Sequence, residues 1–168
     1  MTPRKSTKSK IATAQDAAAD ELVLAFGHLQ GAANRLAYLL GQALEEHCGI
    51  NHLTFEVLMI VGRAGREGLP MRAIAQERVL SPGGASRLID RMETAGLVTR
   101  TDDPEDRRGR RVQLTPAGQE TAVRAARLHV DNVQRLFMEP LPDGHRIQFV
   151  EDLRLLSHGA RDALPRLR

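Results

Sequence analysis

The feature that most constrains this chain is a series of apolar residues separated alternately by four and three positions. The series runs Leu22, Phe26, Leu29, Ala33, Leu36, Leu40 and Ala43. Because residues three and four positions apart lie on the same face of an α-helix, this spacing predicts one long amphipathic helix. The helix should end near Cys48, since Gly49 can adopt the left-handed conformation that closes many helices. A chain dominated by such helices belongs to the mainly α class.

Five further helices are predicted after this one, several of them from an N-cap residue or a proline followed by apolar periodicity. They begin at Thr54, at Pro70, at Ser81-Pro82, at Thr115-Pro116 and after a break at residues 140–144. Two short strands, residues 97–100 and 111–114, bracket a charged segment, residues 101–110, that is rich in turn formers and predicted to be a loop. The predicted fold is therefore mainly α with a small two-stranded β wing.

The net charge of +3 is weak support for a nucleic-acid partner. Four of the 24 basic residues lie in the first ten positions, which hold no acidic residue, so 20 basic residues face 21 acidic ones elsewhere. Residues 70–115 nevertheless contain nine arginines against seven acidic residues. An interaction with DNA must therefore depend on a local patch.

Two short helices joined by a tight turn, then a hairpin with an arginine-rich tip, are typical of a winged helix-turn-helix, whose second helix enters the major groove by its N-terminal end. Here that helix begins with small or hydroxylated residues and one long cation: Ser81, Pro82, Gly83, Gly84, Ala85, Ser86 and Arg87. Small side chains let the backbone approach phosphates, and Ser86 and Arg87 can reach base edges. An ordinary helix start in a helical bundle is the alternative interpretation.

The charged segment between the strands contains arginines that alternate with carboxylates. Its candidate DNA-contacting residues are Asp106, Arg107, Arg108 and Arg110. The carboxylates could hold the arginines extended, so that one or two guanidinium groups enter the narrow minor groove. A solvated surface loop is the alternative.

Residues 71–118 resemble the DNA-binding lobe of the MarR family of bacterial transcription regulators. The resemblance rests on LIDRME at 88–93, GLVTR at 96–100, DPEDRR at 103–108 and LTPAG at 114–118, in that order and spacing. It extends more loosely over residues 20–162. It implies recognition positions from Ser81 to Arg87 with Arg91, wing positions at Asp106, Arg107 and Arg108, and weaker phosphate contacts at Thr54 and Arg72.

The same resemblance implies a homodimer that binds a pseudo-palindromic operator and acts as a repressor. The expected organisation is a disordered basic tail at residues 1–15, a dimerisation helix at 16–50, a winged helix-turn-helix lobe at 51–115 and C-terminal dimerisation helices at 116–168. Release from DNA would follow a small-molecule, redox or metal signal.

Three sensor hypotheses stay open at this stage. A small-molecule pocket would use Arg35, Tyr38, His52 and Phe55, unless these are ordinary core and surface residues. Cys48 would be a redox switch, although a free cysteine is more often an inert small hydrophobe. A zinc site would draw on His47, Cys48, His52 and His129, yet neighbouring residues on one helix point about 100° apart and cannot all face one ion.

Other function classes receive less support. No phosphate-binding glycine loop, nucleophile elbow or HExxH motif occurs, so an enzyme is not predicted, and no cofactor beyond that zinc hypothesis is indicated. The low aromatic content disfavours proteins that stack single-stranded bases. A helical protein-interaction module without specific DNA binding is the main alternative. We expect no membrane segment, no secretory signal and a cytoplasmic location.

Overall fold

The computed structural model describes residues 11–104 and 106–164. Within these ranges the helices are α1 (Ala14–Ala19), α2 (Glu21–Cys48), α3 (His52–Arg63), α4 (Met71–Glu77), α5 (Pro82–Thr94), α6 (Pro116–Val133) and α7 (Arg146–Ala163). The strands are β1 (Leu69–Pro70), β2 (Val98–Asp103) and β3 (Asp106–Leu114). The mainly α class with a small β wing is confirmed. None of the described helices is both long and apolar enough to span a membrane.

The chain divides between Leu39 and Leu40 into two compact units, of which the first contains α1 and the larger part of α2. Residues 1–10 of the predicted tail lie outside the described residues. The predicted tail extends to residue 15, whereas residues 14 and 15 already belong to α1, which has a complete N-terminal cap at Thr13. The backbone N–H of Asp16 donates to the Thr13 hydroxyl at 3.1 Å, and the Thr13 N–H donates to the Asp16 carboxylate at 3.0 Å.

The end of α2 agrees with the sequence prediction. This helix is 28 residues long and ends at Cys48, and Gly49 follows with φ +69°, a conformation that side-chain-bearing residues rarely adopt. The start of α3 does not agree, because the cap is Asn51 and not Thr54. The Asn51 side-chain oxygen accepts the Thr54 N–H at 2.8 Å, and Thr54 itself is buried inside the first turn.

The second unit has one hydrophobic core, and most of its buried residues come from α3 and α5. Val57 and Leu58, the first apolar pair predicted for α3, are fully buried. The remaining core residues are Leu44, Ile50, Phe55, Ile60, Val61, Ile74, Leu88, Ile89, Met92, Val98, Val112, Ala122 and Ala125. Helix α5 therefore lies against the core along one face, which leaves its other face for the surface.

The antiparallel sheet has the strand order β1-β3-β2. The short strand β1, which the sequence did not predict, pairs Leu69 with Val112. The prediction that residues 101–110 form a loop is also wrong. The pairing of β2 with β3 continues to Asp102 opposite Arg110 and, past an irregularity between Asp102 and Asp103, to Asp103 opposite Asp106. The opposite charges of Asp102 and Arg110 favour their pairing across the strands.

The apolar stripes of α6 and α7 do not enter the core of this chain. Val123 and Val130 of α6 are exposed, and α6 buries instead Gly118, Ala122, Ala125 and Asn132. In α7 no residue is buried, and Ile147 is 83% exposed. On α2, Leu22 and Phe26 are likewise exposed. These helices carry more apolar surface than the core of one chain uses.

The turn between α4 and α5 contains a strained residue, and this generates a prediction about stability. Val79 has φ +52° at a position where helix ends normally carry glycine, and its side chain is largely exposed. The turn is closed by the Leu80 N–H, which donates to the Ala75 carbonyl at 2.9 Å. A β-branched residue in the left-handed region costs about 1–2 kcal/mol.

We expect Val79→Asn to raise the free energy of unfolding by about 1 kcal/mol, since asparagine tolerates this conformation. Chemical denaturation measures the change, and Val79→Thr serves as the control because it keeps a β-branched side chain at positive φ. Equal stabilisation by both substitutions would contradict the strain at Val79.

Candidate nucleic-acid interface

The N-terminal end of α5 is built as the sequence predicted. Ser81 is the N-cap, its hydroxyl accepts the Gly84 N–H at 3.1 Å, and Pro82 occupies the first helical turn. The four residues predicted to point inward, Ala85, Leu88, Ile89 and Met92, are all buried. Opposite them lie the exposed residues Pro82, Gly83, Arg87, Asp90 and Arg91, with Gly84 and Ser86 half-buried. The buried Ala85 therefore belongs to the packing of this helix and not to its outer face.

Two arginines of α5 are available for a ligand. Neither Arg87 nor Arg91 forms an ion pair or side-chain hydrogen bond with any residue in the described ranges. Both line an open groove of about 580 Å³, whose apolar wall includes Leu53 and Leu80. Their charge is thus uncompensated within this part of the chain, in contrast to the other arginines near α5.

The guanidinium group of Arg100, on β2, connects the wing to α5. It donates to the Asp90 carboxylate at 2.5 Å, to the Glu93 carboxylate at 2.6 Å and to the Ser86 carbonyl at 3.3 Å. The Arg100 backbone N–H also donates to Glu93, at 3.0 Å. Burial disfavours the charged form, but the hydrogen bonds that Arg100 donates to Asp90 and Glu93, together with the negative charges of these carboxylates, outweigh it and raise the pKa of Arg100 above its ordinary value. Arg100 ends the GLVTR motif at 96–100, and the sequence alone does not indicate these partners.

The wing consists of β2 and β3, and the arginines of β3 whose side chains the structure describes, Arg110 and Arg111, are paired with carboxylates. Arg110 forms an ion pair with Asp102, and Arg111 donates to Asp103 at 3.1 Å. Arg72, at the start of α4, lies 3.5 Å from the carboxylate of Asp106. Arg72 and the wing therefore contribute to one charged surface.

Two of the predicted wing residues can be placed only by their backbone. Arg107 and Arg108 belong to β3, and their side chains lie outside the described part of the structure. The phosphate contact predicted at Thr54 does not fit its position, because the Thr54 side chain is buried in the first turn of α3. A phosphate contact would require that burial to be relieved, so Thr54 is left out of the interface.

Comparison with known proteins identifies the family. A sequence profile described as "MarR family" matches residues 49–109. The HTH-type transcriptional regulator YcgE of Bacillus subtilis is 32% identical over 120 residues, which are 70% of this chain and 70% of YcgE. The chain belongs to the MarR family. This assignment agrees with the winged helix-turn-helix geometry.

Two further relatives resemble this MarR-family chain over different shares of its length. The HTH-type transcriptional regulator PapX of Escherichia coli is 36% identical over 70 residues, 42% of this chain, and the match spans less than half of PapX, 43%. The crystal structure of Sco3205, a MarR family transcriptional regulator from Streptomyces coelicolor in complex with DNA, superposes with a TM-score of 0.73 and 27% identity. That superposition covers 88% of both chains.

Two of the four residues predicted for the small-molecule pocket, His52 and Phe55, lie close together in the second unit. His52 and Phe55 lie with His129 in a ring cluster, in which the centroids of Phe55 and His129 are 4.4 Å apart. Burial and the neighbouring His52 lower the pKa of His129. Arg35 and Tyr38 belong to the first unit, in which Tyr38 is exposed. The pocket that would unite all four predicted residues remains a prediction.

The zinc site at His47, Cys48, His52 and His129 stays a prediction. The described residues contain no group of three histidine, cysteine, aspartate or glutamate side chains that could hold a metal ion. His47 lies instead near Glu46, at the exposed end of α2. Cys48 is half-buried and packs against the hydrophobic core, as a small apolar residue does. Adjacent positions on one helix diverge in direction, which is why these residues do not converge.

The two neighbouring aspartates of β2 generate a prediction about the wing. The Asp103 side chain is 1% exposed and bound to Arg111, whereas Asp102 is 87% exposed in its pair with Arg110. Removal of one partner from a buried ion pair leaves the other charge uncompensated and typically costs about 3 kcal/mol. An exposed pair contributes less than about 1 kcal/mol.

Asp103→Ala should therefore lower the free energy of unfolding by about 3 kcal/mol, measured by chemical denaturation. Asp102→Ala is the matched control, one residue away in the same strand, and should change it by less than about 1 kcal/mol. Comparable losses in both variants would show that burial of Asp103 does not decide the stability of the wing.

Proposed function

We propose that this MarR-family chain is a transcription regulator that binds double-stranded DNA in a sequence-specific manner. The observation that carries the proposal is the outer face of α5, where an exposed start of small residues precedes the uncompensated cations Arg87 and Arg91. A helix N-terminus of this kind attracts phosphates, and arginine is suited to guanine. The DNA complex of the similar Sco3205 supports the same conclusion.

The regulator acts as a homodimer in this proposal. Its support is the exposed apolar surface of α2, α6 and α7, including Phe26, Val130 and Ile147, which a second copy would cover. A symmetric dimer places two copies of α5 in adjacent major grooves, so the operator would be pseudo-palindromic, with half-site centres about 10 base pairs apart. Repression is the expected sign of regulation.

The proposal also includes a signal and a location. The cluster of His52, Phe55 and His129 is the best-supported part of an effector site, because Nδ1 of His52 and of His129 is buried without a hydrogen-bond partner in the described structure. A small molecule that fills this region would shift the arrangement of the DNA-binding lobes. We infer a cytoplasmic location, where a DNA-binding regulator meets its operator.

Salt-dependent DNA binding tests the proposed function directly. Affinity for a random-sequence duplex should fall steeply with salt, because each phosphate contact releases counterions. Replacing Arg107 and Arg108 together by alanine should lower the logarithmic salt slope by about 2 and the affinity at fixed salt by at least about tenfold. Fluorescence anisotropy measures both quantities.

Arg161→Ala is the control for that experiment, since Arg161 is an exposed arginine of α7 outside the proposed interface. It should leave affinity and slope unchanged. Equal losses in the two variants would overturn the assignment of the wing. Absence of binding by the wild-type chain at low salt would overturn DNA binding itself and favour a protein-interaction module.

Gly83 provides a second prediction, because its lack of a side chain has no explanation in the protein. A Cβ built on Gly83 meets no atom within 4 Å, although glycine in a helix costs about 0.5–1 kcal/mol relative to alanine. Close approach of the DNA backbone would account for glycine at this exposed position. Gly83→Ala should therefore stabilise the fold by about 0.5 kcal/mol and weaken DNA binding about tenfold.

Gly159, within α7, is the matched control, because a Cβ there also meets nothing within 4 Å. Gly159→Ala should give a similar gain in thermal stability and no change in DNA affinity. If Gly83→Ala stabilised the protein without weakening binding, the DNA backbone would not approach this turn of α5.

A further inference from the structure

The outer face of α5 carries as many carboxylates as cations. Asp90 and Glu93 lie on the same helix as Arg87 and Arg91, and Asp90 is 58% exposed between the two arginines. Carboxylates at a DNA-facing surface repel phosphates and so oppose the proposed function. The helix needs a compensating charge that is not itself used for DNA.

Arg100 has the contacts for this task. Its two terminal nitrogens bind both carboxylates, and a further bond reaches the Ser86 carbonyl one turn earlier in α5. Only 21% of its side chain is exposed, so most of the guanidinium group is turned toward the helix and away from solvent. A lysine could not reproduce this pattern, because its single ammonium group lacks the planar fork of arginine.

We propose, building on the proposed DNA-binding function, that Arg100 is a positioning residue of the DNA interface. It holds Asp90 and Glu93 on the wing side of α5, so that neither carboxylate repels phosphate or pairs with Arg87. Through Ser86 and Glu93 it also fixes the distance between the recognition helix and strand β2. Arg100 thereby joins the two DNA-contacting parts without contacting DNA.

Loss of Arg100 would have two electrostatic effects on DNA binding. Asp90 could pair with Arg87, and a carboxylate could face the phosphates, and these two effects differ in size. Asp90 is three residues after Arg87, and pairing at that spacing on a helix surface would change the population of available Arg87 by a factor of about two. One additional uncompensated charge at the interface changes DNA affinity by about tenfold near 0.1 M salt. One guanidinium group carries half the charge of the two carboxylates, so the larger part of the effect is that Arg100 keeps them from turning toward the phosphates.

A double-mutant cycle at Arg100 and Asp90 tests the inference, with a duplex selected by the wild-type chain as the probe. Arg100→Gln should weaken binding by at least about tenfold. Asp90→Asn alone should change the affinity by less than about twofold, because Arg100 already holds that carboxylate on the wing side, away from the phosphates and from Arg87, and remains bound to Glu93 and Ser86. In the Arg100→Gln background, Asp90→Asn should restore at least about fivefold of the lost affinity.

A purely structural role for Arg100 gives a different result. If Arg100→Gln weakened binding only by loosening α5 from β2, Asp90→Asn would not restore the affinity. Absence of rescue, or an equal effect of Asp90→Asn in both backgrounds, overturns the inference. Thermal denaturation of each variant checks the fold, and if Arg100→Gln does not fold, the same cycle is run with Arg100→Lys, for which a smaller loss and the same rescue are expected. Failure of the wild-type chain to bind any duplex would refute the proposed function instead.

Discussion

The packing of α5 on the hydrophobic core is the interaction on which the proposed interface depends. Ala85, Leu88, Ile89 and Met92 are buried on one face of the helix, which fixes its rotation about its own axis. Burial of a large apolar side chain is worth about 1.5–3 kcal/mol, whereas an exposed ion pair contributes less than about 1 kcal/mol. The core therefore decides which residues of α5 face outward, and Arg100 adjusts the charge of that outer face.

A second constraint comes from the helices that the core leaves uncovered. In a chain of this size, apolar residues such as Phe26 on α2, Val130 on α6 and Ile147 on α7 would be expected to pack if one core could accommodate them. On α6, Val130 remains exposed because this helix meets the core with small residues, including Ala122 and Ala125. A second copy of the chain is the partner that would cover these stripes and set the spacing of two recognition helices.

Local sequence signals predicted most of the helical framework, including the Ser81 cap and the inward residues of α5. The wing was predicted less well, because strand pairing depends on residues distant in sequence, such as Asp102 opposite Arg110. Arg100 and Asp103 were missed as structural residues for the same reason, since their partners lie seven or eight positions away on other elements. Polar composition suggested a loop, whereas β2 and β3 pair as far as Asp103 and Asp106 and form a longer hairpin.

Selection of bound duplexes from a random library by the full chain tests the central claim most directly. If α5 and the wing read DNA as a symmetric dimer, the recovered sequences should converge on a pseudo-palindrome whose half-site centres lie about 10 base pairs apart. Footprinting on the recovered duplex should then protect both half-sites equally. Recovery of unrelated sequences without a shared motif, or of a motif without two-fold symmetry, would contradict the account.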